Sequence, residues 1–352
     1  MISIKKHLIS TGKMVDDLLK EKSESLWVYL SDSAKRTSII KDAEKLLKKV
    51  NTKKHSKIYT LAASKRHVSL MEHITKQDKL KEIITAQPAD FENLKLELRS
   101  FLACDDYQSP NKKKKIKPFS DILLSDVFKY KQYRDSVFCS KLYIDLNFLQ
   151  VTCPYCNEYP VKILQRLDKT SKKPLLHFDL DHFYPKNLHP YFALSFYNHI
   201  PSCKYCNSLH KGVKDFSTNT HIHPFSHNFD EHYTFKFSHG IILDNPIRDV
   251  VLDKTSNFGD QLCTDLDLEE RYKSNIGYAN LNRLVELLTD NSHILGEKSY
   301  EKNKKDIDLL KERLTDFGLK FDGNKILERP WSKMQRDLVK FIDVHNHLSM
   351  EN

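Results

Sequence analysis

The chain lacks any long apolar segment. Across its 352 residues, no apolar run approaches the roughly 20 residues that a membrane-spanning helix needs. The N-terminus carries basic residues, but it has neither the apolar core nor the small-residue cleavage site of a secretory signal. We therefore expect a cytoplasmic protein that does not associate with membranes and whose cysteines stay reduced.

Internal repeats are also missing, and the composition is not that of a disordered chain. Hydrophobic residues make up 39% of the sequence and charged residues 30%, which is typical of a folded protein. The length is sufficient for two or three compact units with sizeable cores.

The positive charge is concentrated in the first third of the chain. The net charge is +10, yet residues 1–120 alone hold 26 Lys and Arg against 15 Asp and Glu, and the rest is close to neutral. This distribution predicts either a polyanionic partner held by the N-terminal third or a solvated, lysine-rich helical surface.

Helical spacing dominates both ends of the sequence and fades in the middle. In "IIKDAEKLLKKV", for example, Ile39, Ala43, Leu46 and Val50 share one helical face. Between residues 150 and 240, aromatic residues, His, Pro and Cys become dense instead. We therefore predict an α+β protein, mainly α-helical, with a small irregular module at its centre.

Four segments follow from this pattern. They are a basic helical region over 1–110, a linker and helical lead-in over 111–149, the central module over 150–240, and a C-terminal helical region over 241–352. In the linker, two prolines bracket a lysine run that either contacts nucleic-acid phosphates or forms a solvated loop. The run consists of Lys112, Lys113, Lys114 and Lys115.

Two C-x-x-C pairs indicate a structural zinc site. Cys153 and Cys156 form one pair, and Cys203 and Cys206 form the other. Two such knuckles supply the four thiolates of a closed tetrahedral zinc site. A redox role would leave the second pair unexplained, and no βαβ pattern surrounds either pair. We expect Zn²⁺ to close the long loop between the pairs and to supply folding free energy to a module with a small core.

Inside this loop the sequence predicts a strand and then a short helix. "LLHFDLDHFYPK" alternates apolar and polar residues from Leu176 to His182, which is a strand pattern that Pro185 ends. After the second knuckle, "NSLHKG" has the pattern of a short helix that stops at Gly212. An Asp-His doublet therefore lies at the end of the predicted strand.

The polar residues of this loop resemble those of the HNH endonucleases, which have the ββα-metal nuclease fold. The segments that carry the resemblance are "DHFYP" and "NHIPSCKYCNSLHK", and the resemblance covers about residues 150–225. The third motif position is Asn rather than His, a variant that occurs in the family. The longer string also resembles the HNH subunits of Septu-type anti-phage systems, in which the nuclease works beside an ATPase.

The resemblance implies a role for each motif residue. His182 would be the general base, and Asp181 with Asn207 would hold a catalytic Mg²⁺ or Mn²⁺ ion. Asn198 would fix the loop that carries the histidine, and Lys211 would contact a phosphate. The chemistry agrees, because phosphodiester hydrolysis needs a base and a cation, and carboxylate and amide oxygens suit Mg²⁺.

Some positions stay open at this point. Asp179 shares a strand face with Asp181 and could be a second ligand or orient one, and His210 could replace Asn207 as ligand, since both occupy one helix face. Adjacent strand residues point to opposite faces, so Asp181 and His182 can serve one site only if the strand ends or bends there.

The expected function is that of a metal-dependent HNH endonuclease acting on nucleic acid, most simply DNA, and on the closer resemblance an effector of antiviral defence. Two alternatives remain. One is a zinc-stapled nucleic-acid-binding protein without catalysis, and the other is a subunit that is active only in complex with an ATPase partner.

Overall fold

The computed structural model describes residues 2–12, 14–34, 38–165, 174–237, 250–298 and 300–351. Within these ranges the protein is α+β and mainly helical, as the sequence predicts, and its strands form three small antiparallel sheets. None of the helices in the described ranges is long and apolar enough to cross a bilayer.

The N-terminal region is a layer of helices packed through their apolar faces. In α3 the Ser38 hydroxyl caps the first turn by accepting a hydrogen bond from the Lys41 amide at 3.3 Å, and the predicted face of Ile39, Ala43 and Leu46 is buried. The helices are α1 Ile4–Ile9, α2 Val15–Ser31, α3 Ile39–Val50, α4 Lys53–Ile58, α5 Leu61–Ile74, α6 Gln77–Thr85 and α7 Phe91–Arg99.

The lead-in to the central module contains the lysine loop and three short helices. The loop lies between a 3₁₀ turn at Cys104–Tyr107 and the helix α8, and its lysines form an exposed turn. The helices are α8 Phe119–Ile122, which continues into a π-helical turn at Leu123–Val127, α9 Tyr130–Arg134 and α10 Val137–Asp145.

The strands of the central module form two separate sheets, followed by a third. β1, β2 and β3 form one antiparallel sheet in that order, β4 pairs with β5, and β6 pairs with β7. The strands are β1 Gln150–Thr152, β2 Pro160–Leu164, β3 Leu175–His177, β4 Asp179–His182, β5 His199–Ser202, β6 Tyr233–Lys236 and β7 Val251–Lys254.

The prediction of a single strand from Leu176 to His182 is wrong, because the structure has two strands there. The chain bends at Phe178, so that β3 pairs with β2 whereas β4 pairs with β5 in another sheet. The alternation of apolar and polar residues continues across the bend, but β3 buries one face whereas three consecutive residues of β4 are buried. A period of two does not reveal which neighbour a strand pairs with.

The C-terminal region is helical and docks on the first knuckle. Its helices are α11 Leu262–Asp265, α12 Leu268–Ser274, α13 Leu281–Thr289, α14 Ser292–Leu295, α15 Lys304–Phe317 and α16 Ser332–Ile342, with 3₁₀ turns between several of them. Both ends of the chain reach the central module, because the Ile2 amide donates to the Pro154 carbonyl at 2.6 Å and the Trp331 amide donates to the Asn157 carbonyl at 2.7 Å. The proposed domain boundaries themselves stay a prediction.

Asn157, which follows the first knuckle, is the centre of this docking. It has a left-handed backbone (φ 51°), and its buried side-chain nitrogen donates to the Thr152 hydroxyl and to the carbonyls of Ile326 and Arg329 at 2.7–3.0 Å. Its side-chain oxygen accepts from the Lys333 amide at 3.0 Å. One asparagine thus satisfies backbone groups of the C-terminal region that would otherwise be buried without partners.

We predict that Asn157→Ala destabilises the protein by about 3 kcal/mol or more, because several buried polar groups lose their partner at once. Asn147→Ala is the matched control, since Asn147 also has a positive φ (60°) but is exposed. Its cost should stay near the roughly 1 kcal/mol of left-handed strain. The free energies of unfolding in urea, with zinc present, measure both. Equal costs for the two variants would contradict the assigned role of Asn157.

Candidate active site and metal centre

The two cysteine knuckles lie at the ends of strands that belong to different sheets. The first occupies the turn between β1 and β2, and Cys153 follows directly after Thr152. The second follows β5 and leads into the helix Tyr205–Lys211. Each knuckle is closed by a backbone bond: the Asn157 amide donates to the Cys153 carbonyl at 2.7 Å, and the Asn207 amide to the Cys203 carbonyl at 3.1 Å.

The four knuckle sulfurs converge on one point. Cys153, Cys156, Cys203 and Cys206 are all buried, and their sulfur atoms lie within 4.8 Å of one another. The Cys156 and Cys203 sulfurs are 3.9 Å apart. In a tetrahedral site with Zn–S bonds of about 2.3 Å, neighbouring sulfurs are about 3.8 Å apart. The four cysteines can therefore hold a metal ion such as zinc.

The surroundings of the cluster favour bound thiolates. Burial raises the pKa of the Cys153 thiol well above its usual value, so thiolates packed this closely need a cation. Arg271 of α12 supplies part of that charge, because it donates to the Cys206 sulfur at 3.4 Å and to the Glu158 carboxylate at 2.8 Å. No spacing rule points to Arg271, which lies 65 residues from Cys206 in the chain.

Beside this cluster, two strands and a helix follow each other in the order β4, β5, helix. β4 and β5 are antiparallel, with Asp181 opposite Ile200. The helix Tyr205–Lys211 is a wide π-helical turn that ends where the Gly212 amide donates to the Asn207 carbonyl at 3.0 Å. Gly212 has a φ of 53°, which a glycine adopts without strain, so the predicted helix end is confirmed.

A pocket of about 230 Å³ opens at the end of β4. Asp181, His182, Asn207 and Lys211 all line it. The strand ends at His182, which allows both members of the Asp-His doublet to reach the same pocket. Four of the residues predicted for the site therefore meet in space. The lysines Lys112 to Lys115, by contrast, lie on their own exposed loop, and neither His210 nor Asp179 lines the pocket.

Asn198 holds the loop between β4 and β5. Its side-chain oxygen accepts from the Tyr184 amide at 2.7 Å, and its side-chain nitrogen donates to the carbonyls of Tyr184 and Phe192 at 3.1 and 3.0 Å. The side chain is completely buried. Asn198 thus ties together the two ends of the loop that follows His182, the position expected of it from the sequence.

His182 is held as a neutral imidazole. It is 5% exposed, its Nε2 is 3.1 Å from the Ala193 carbonyl, and the Tyr130 ring packs against it edge-on at 4.3 Å. Burial, together with the nearby charges of Lys186 and Lys211, holds its pKa well below the usual range. Because Nε2 must carry the proton that the carbonyl accepts, Nδ1 is left with the free lone pair.

Asp181 is engaged by two donors. The Tyr155 hydroxyl donates to Asp181 Oδ2 at 2.7 Å, and the Lys211 ammonium lies 2.7 Å from both carboxylate oxygens. Lys211 is only 2% exposed, and it also donates to the His182 carbonyl. The lysine expected to contact a phosphate is therefore paired with the aspartate expected to hold a metal.

Asn207 is oriented by Asp179. Its side-chain nitrogen donates to Asp179 Oδ2 at 3.0 Å, and the Ser208 hydroxyl donates to the same oxygen at 3.3 Å. Asp179 thus positions the amide rather than facing the pocket itself. Of the two candidate ligands on the helix, the one that faces the pocket is Asn207.

Two further residues belong to the site although the sequence reasoning did not single them out. Lys186 lines the pocket, its ammonium lies 5.2 Å from the centre of the Tyr130 ring, and burial lowers its pKa. Its position in "DHFYPK", four residues after His182, could have drawn attention to it. Tyr155 lies in the sequence between the two cysteines of the first knuckle. Nothing in the local sequence pattern indicates that it contacts Asp181.

The carboxylate oxygens of Asp181 are of the type that a hard divalent cation binds, but in this structure they already accept hydrogen bonds. Both carboxylate oxygens accept from Lys211, so a metal ion would have to compete with the ammonium for them. A comparison of the chain with models of protein families, with curated proteins and with solved structures finds no match.

We predict that the purified protein contains about one zinc ion per chain and that Cys153→Ser loses it, because three thiolates no longer close a tetrahedral site. Arg271→Met should keep the metal but release it faster to a chelator, since the hydrogen bond to Cys206 is lost. Elemental analysis measures the zinc content, and the rate of zinc release to a chelator measures the effect of Arg271→Met. Cys104→Ser is the control, because Cys104 is exposed and lies outside the cluster. Full zinc content in Cys153→Ser would refute the assignment.

Proposed function

We propose that the protein hydrolyses phosphodiester bonds of nucleic acid, most simply DNA, as an endonuclease of the HNH type. The observation that carries this proposal is the meeting of Asp181, His182, Asn207 and Lys211 in one pocket, on a strand–strand–helix unit that the cysteine cluster holds together. A non-catalytic binding protein would not need a buried neutral histidine and a buried carboxylate at the mouth of the same cavity.

His182 has the properties of a general base. The Ala193 carbonyl orients the ring through Nε2, so Nδ1 can take a proton from a water molecule as the water oxygen attacks phosphorus. The bond from phosphorus to the leaving oxygen then breaks, and that oxygen takes a proton from solvent. The neutral state of the ring supports this role, because an imidazolium cannot accept the proton.

A divalent cation, if held by Asp181 and Asn207, would neutralise the negative charge that develops on the phosphate and on the leaving oxygen. Carboxylate and amide oxygens such as theirs suit Mg²⁺ or Mn²⁺. Lys186 and Lys211 add positive charge to the same cavity, which favours a phosphate as the group that enters it.

The lysine loop supports a polyanionic substrate. Lys112–Lys115 are exposed on a turn that the Ser109 hydroxyl closes by donating to the Ile116 carbonyl at 2.5 Å. Just before the loop, the Tyr107 hydroxyl donates at 3.0 Å to the carbonyl of Leu188, a residue that lines the pocket. The six residues from Tyr107 to Lys112 span at most about 20 Å. The lysine loop therefore begins within reach of a nucleic acid bound at the pocket.

We predict that the protein cleaves plasmid DNA with Mg²⁺ or Mn²⁺ and that EDTA stops the reaction. His182→Ala should lose cleavage by roughly two to four orders of magnitude, the usual contribution of a general base, while still binding DNA. Asn207→Ala should also lose cleavage, whereas His210→Ala is the control on the same helix, because His210 does not line the pocket.

Three other results would change the proposal. A His182→Ala variant that cleaves at the wild-type rate would remove the histidine from the mechanism. A protein that binds DNA but never cleaves it would favour a binding function. If cleavage starts only when an ATPase partner is added, the nuclease works as a subunit, as the Septu resemblance implies.

We predict that Lys113→Gln with Lys114→Gln weakens binding to all DNA sequences alike and reduces the slope of log affinity against log salt by about one per lost phosphate contact. Lys304→Gln with Lys305→Gln removes the same charge from exposed positions on α15 and is the matched control. Binding isotherms at several salt concentrations provide the slopes. Equal slopes for the two double variants would assign the lysine loop to solvent.

A further inference from the structure

The ammonium group of Lys211 is surrounded by oxygen atoms. Both oxygens of Asp181 are 2.7 Å from its ammonium nitrogen, and the His182 carbonyl accepts a third hydrogen bond. An ammonium group has three donors, so these three acceptors satisfy it completely. The Phe216 ring also packs against the ammonium group, with its centre 4.8 Å from the nitrogen.

This set of oxygen atoms has the chemistry of a site for a hard cation. Carboxylate and carbonyl oxygens are the ligands that Mg²⁺ and Mn²⁺ prefer. A divalent ion at Asp181 would need the oxygens that the ammonium now uses, at distances near 2.1 Å. Two cations on one buried carboxylate repel each other strongly, because little solvent screens them. A metal ion at this carboxylate therefore competes with Lys211 for the same oxygens and is repelled while the ammonium stays in place.

We propose that Lys211 is an internal cation that fills the metal position at Asp181, and that a divalent ion binds this carboxylate only when the ammonium leaves it. The inference rests on the proposed nuclease function for its biological meaning. Once displaced, the same ammonium becomes available to a phosphate in the pocket. Metal binding and substrate contact are thereby coupled through one side chain.

The surrounding chain allows this exchange. Lys211 is the last residue of its helix, and the chain reverses at Gly212 immediately after it. The stem of a lysine is long and flexible, and the adjoining pocket of about 230 Å³ can receive the ammonium group. Asn207, one turn earlier, is held separately by Asp179 and need not move with it.

The first experiment measures Mn²⁺ binding by the full zinc-loaded chain without nucleic acid. Lys211→Met should bind Mn²⁺ about tenfold more tightly or better, because the competing group is gone and the binding-competent state is fully populated. Lys186→Met is the matched control. It removes a second positive charge from the same pocket, one that acts on Asp181 without a direct bond, so its gain measures what loss of a pocket charge contributes when the carboxylate oxygens keep their partner.

The second experiment uses the unmodified protein, so it does not depend on the folding of a variant that leaves Asp181 without its partner. Reductive methylation followed by mass spectrometry reports how accessible each lysine amine is. Lys211 should react slowly in the metal-free pocket and several-fold faster at saturating Mn²⁺. Lys186, which is already half-buried and open to the pocket, should change less.

The outcomes separate this inference from the nuclease proposal. Mn²⁺ binding with Lys211 still protected, or equal affinity gains in the two methionine variants, would overturn the exchange even if the protein cleaves DNA. Failure of both the native protein and Lys211→Met to bind Mn²⁺ would overturn it as well. Release of Lys211 by Mn²⁺ in a protein that cleaves no nucleic acid would support the exchange and refute the nuclease.

Discussion

The four-cysteine cluster is the constraint on which the rest of the central module depends. Burial raises the pKa of the Cys153 thiol, so its thiolate is costly without a cation, and a bound metal would join the β1–β2 turn to the end of β5. The C-terminal region packs on the same point, because Arg271 contacts the Cys206 sulfur and the Tyr272 hydroxyl donates to the Cys156 carbonyl at 2.7 Å. Metal loss should therefore loosen more of the chain than the module itself.

The cluster also sets the geometry of the pocket. The helix Tyr205–Lys211 begins within the second knuckle, so its position relative to β4 follows from the position of the metal site. Asn207 and Lys211 reach the pocket from this helix, while Asp181 and His182 reach it from the strand end. A structural site and a candidate catalytic site are thus parts of one arrangement, since the two strands and the helix are too short to be stable by themselves.

The pairing of Asp181 with Lys211 shows how a buried carboxylate in this pocket is stabilised by groups of the chain itself. A buried carboxylate needs a partner, and the lysine supplies one together with the Tyr155 hydroxyl. The pairing also explains why a lysine, Lys211, is almost completely buried.

Much of this could be predicted from the sequence, because short-range spacing limits geometry. Two residues between cysteines allow both sulfurs to face one point, and Gly212 after a helical pattern marks where that helix ends. Other features depend on which distant segments meet, and no local period encodes that. The bend at Phe178, the contacts of Arg271 and Tyr155, and the burial of Lys211 arise from hydrogen bonds and ion pairs between residues far apart in the chain. Only the folded packing decided them, because a buried polar group takes whichever partner the packing brings within reach.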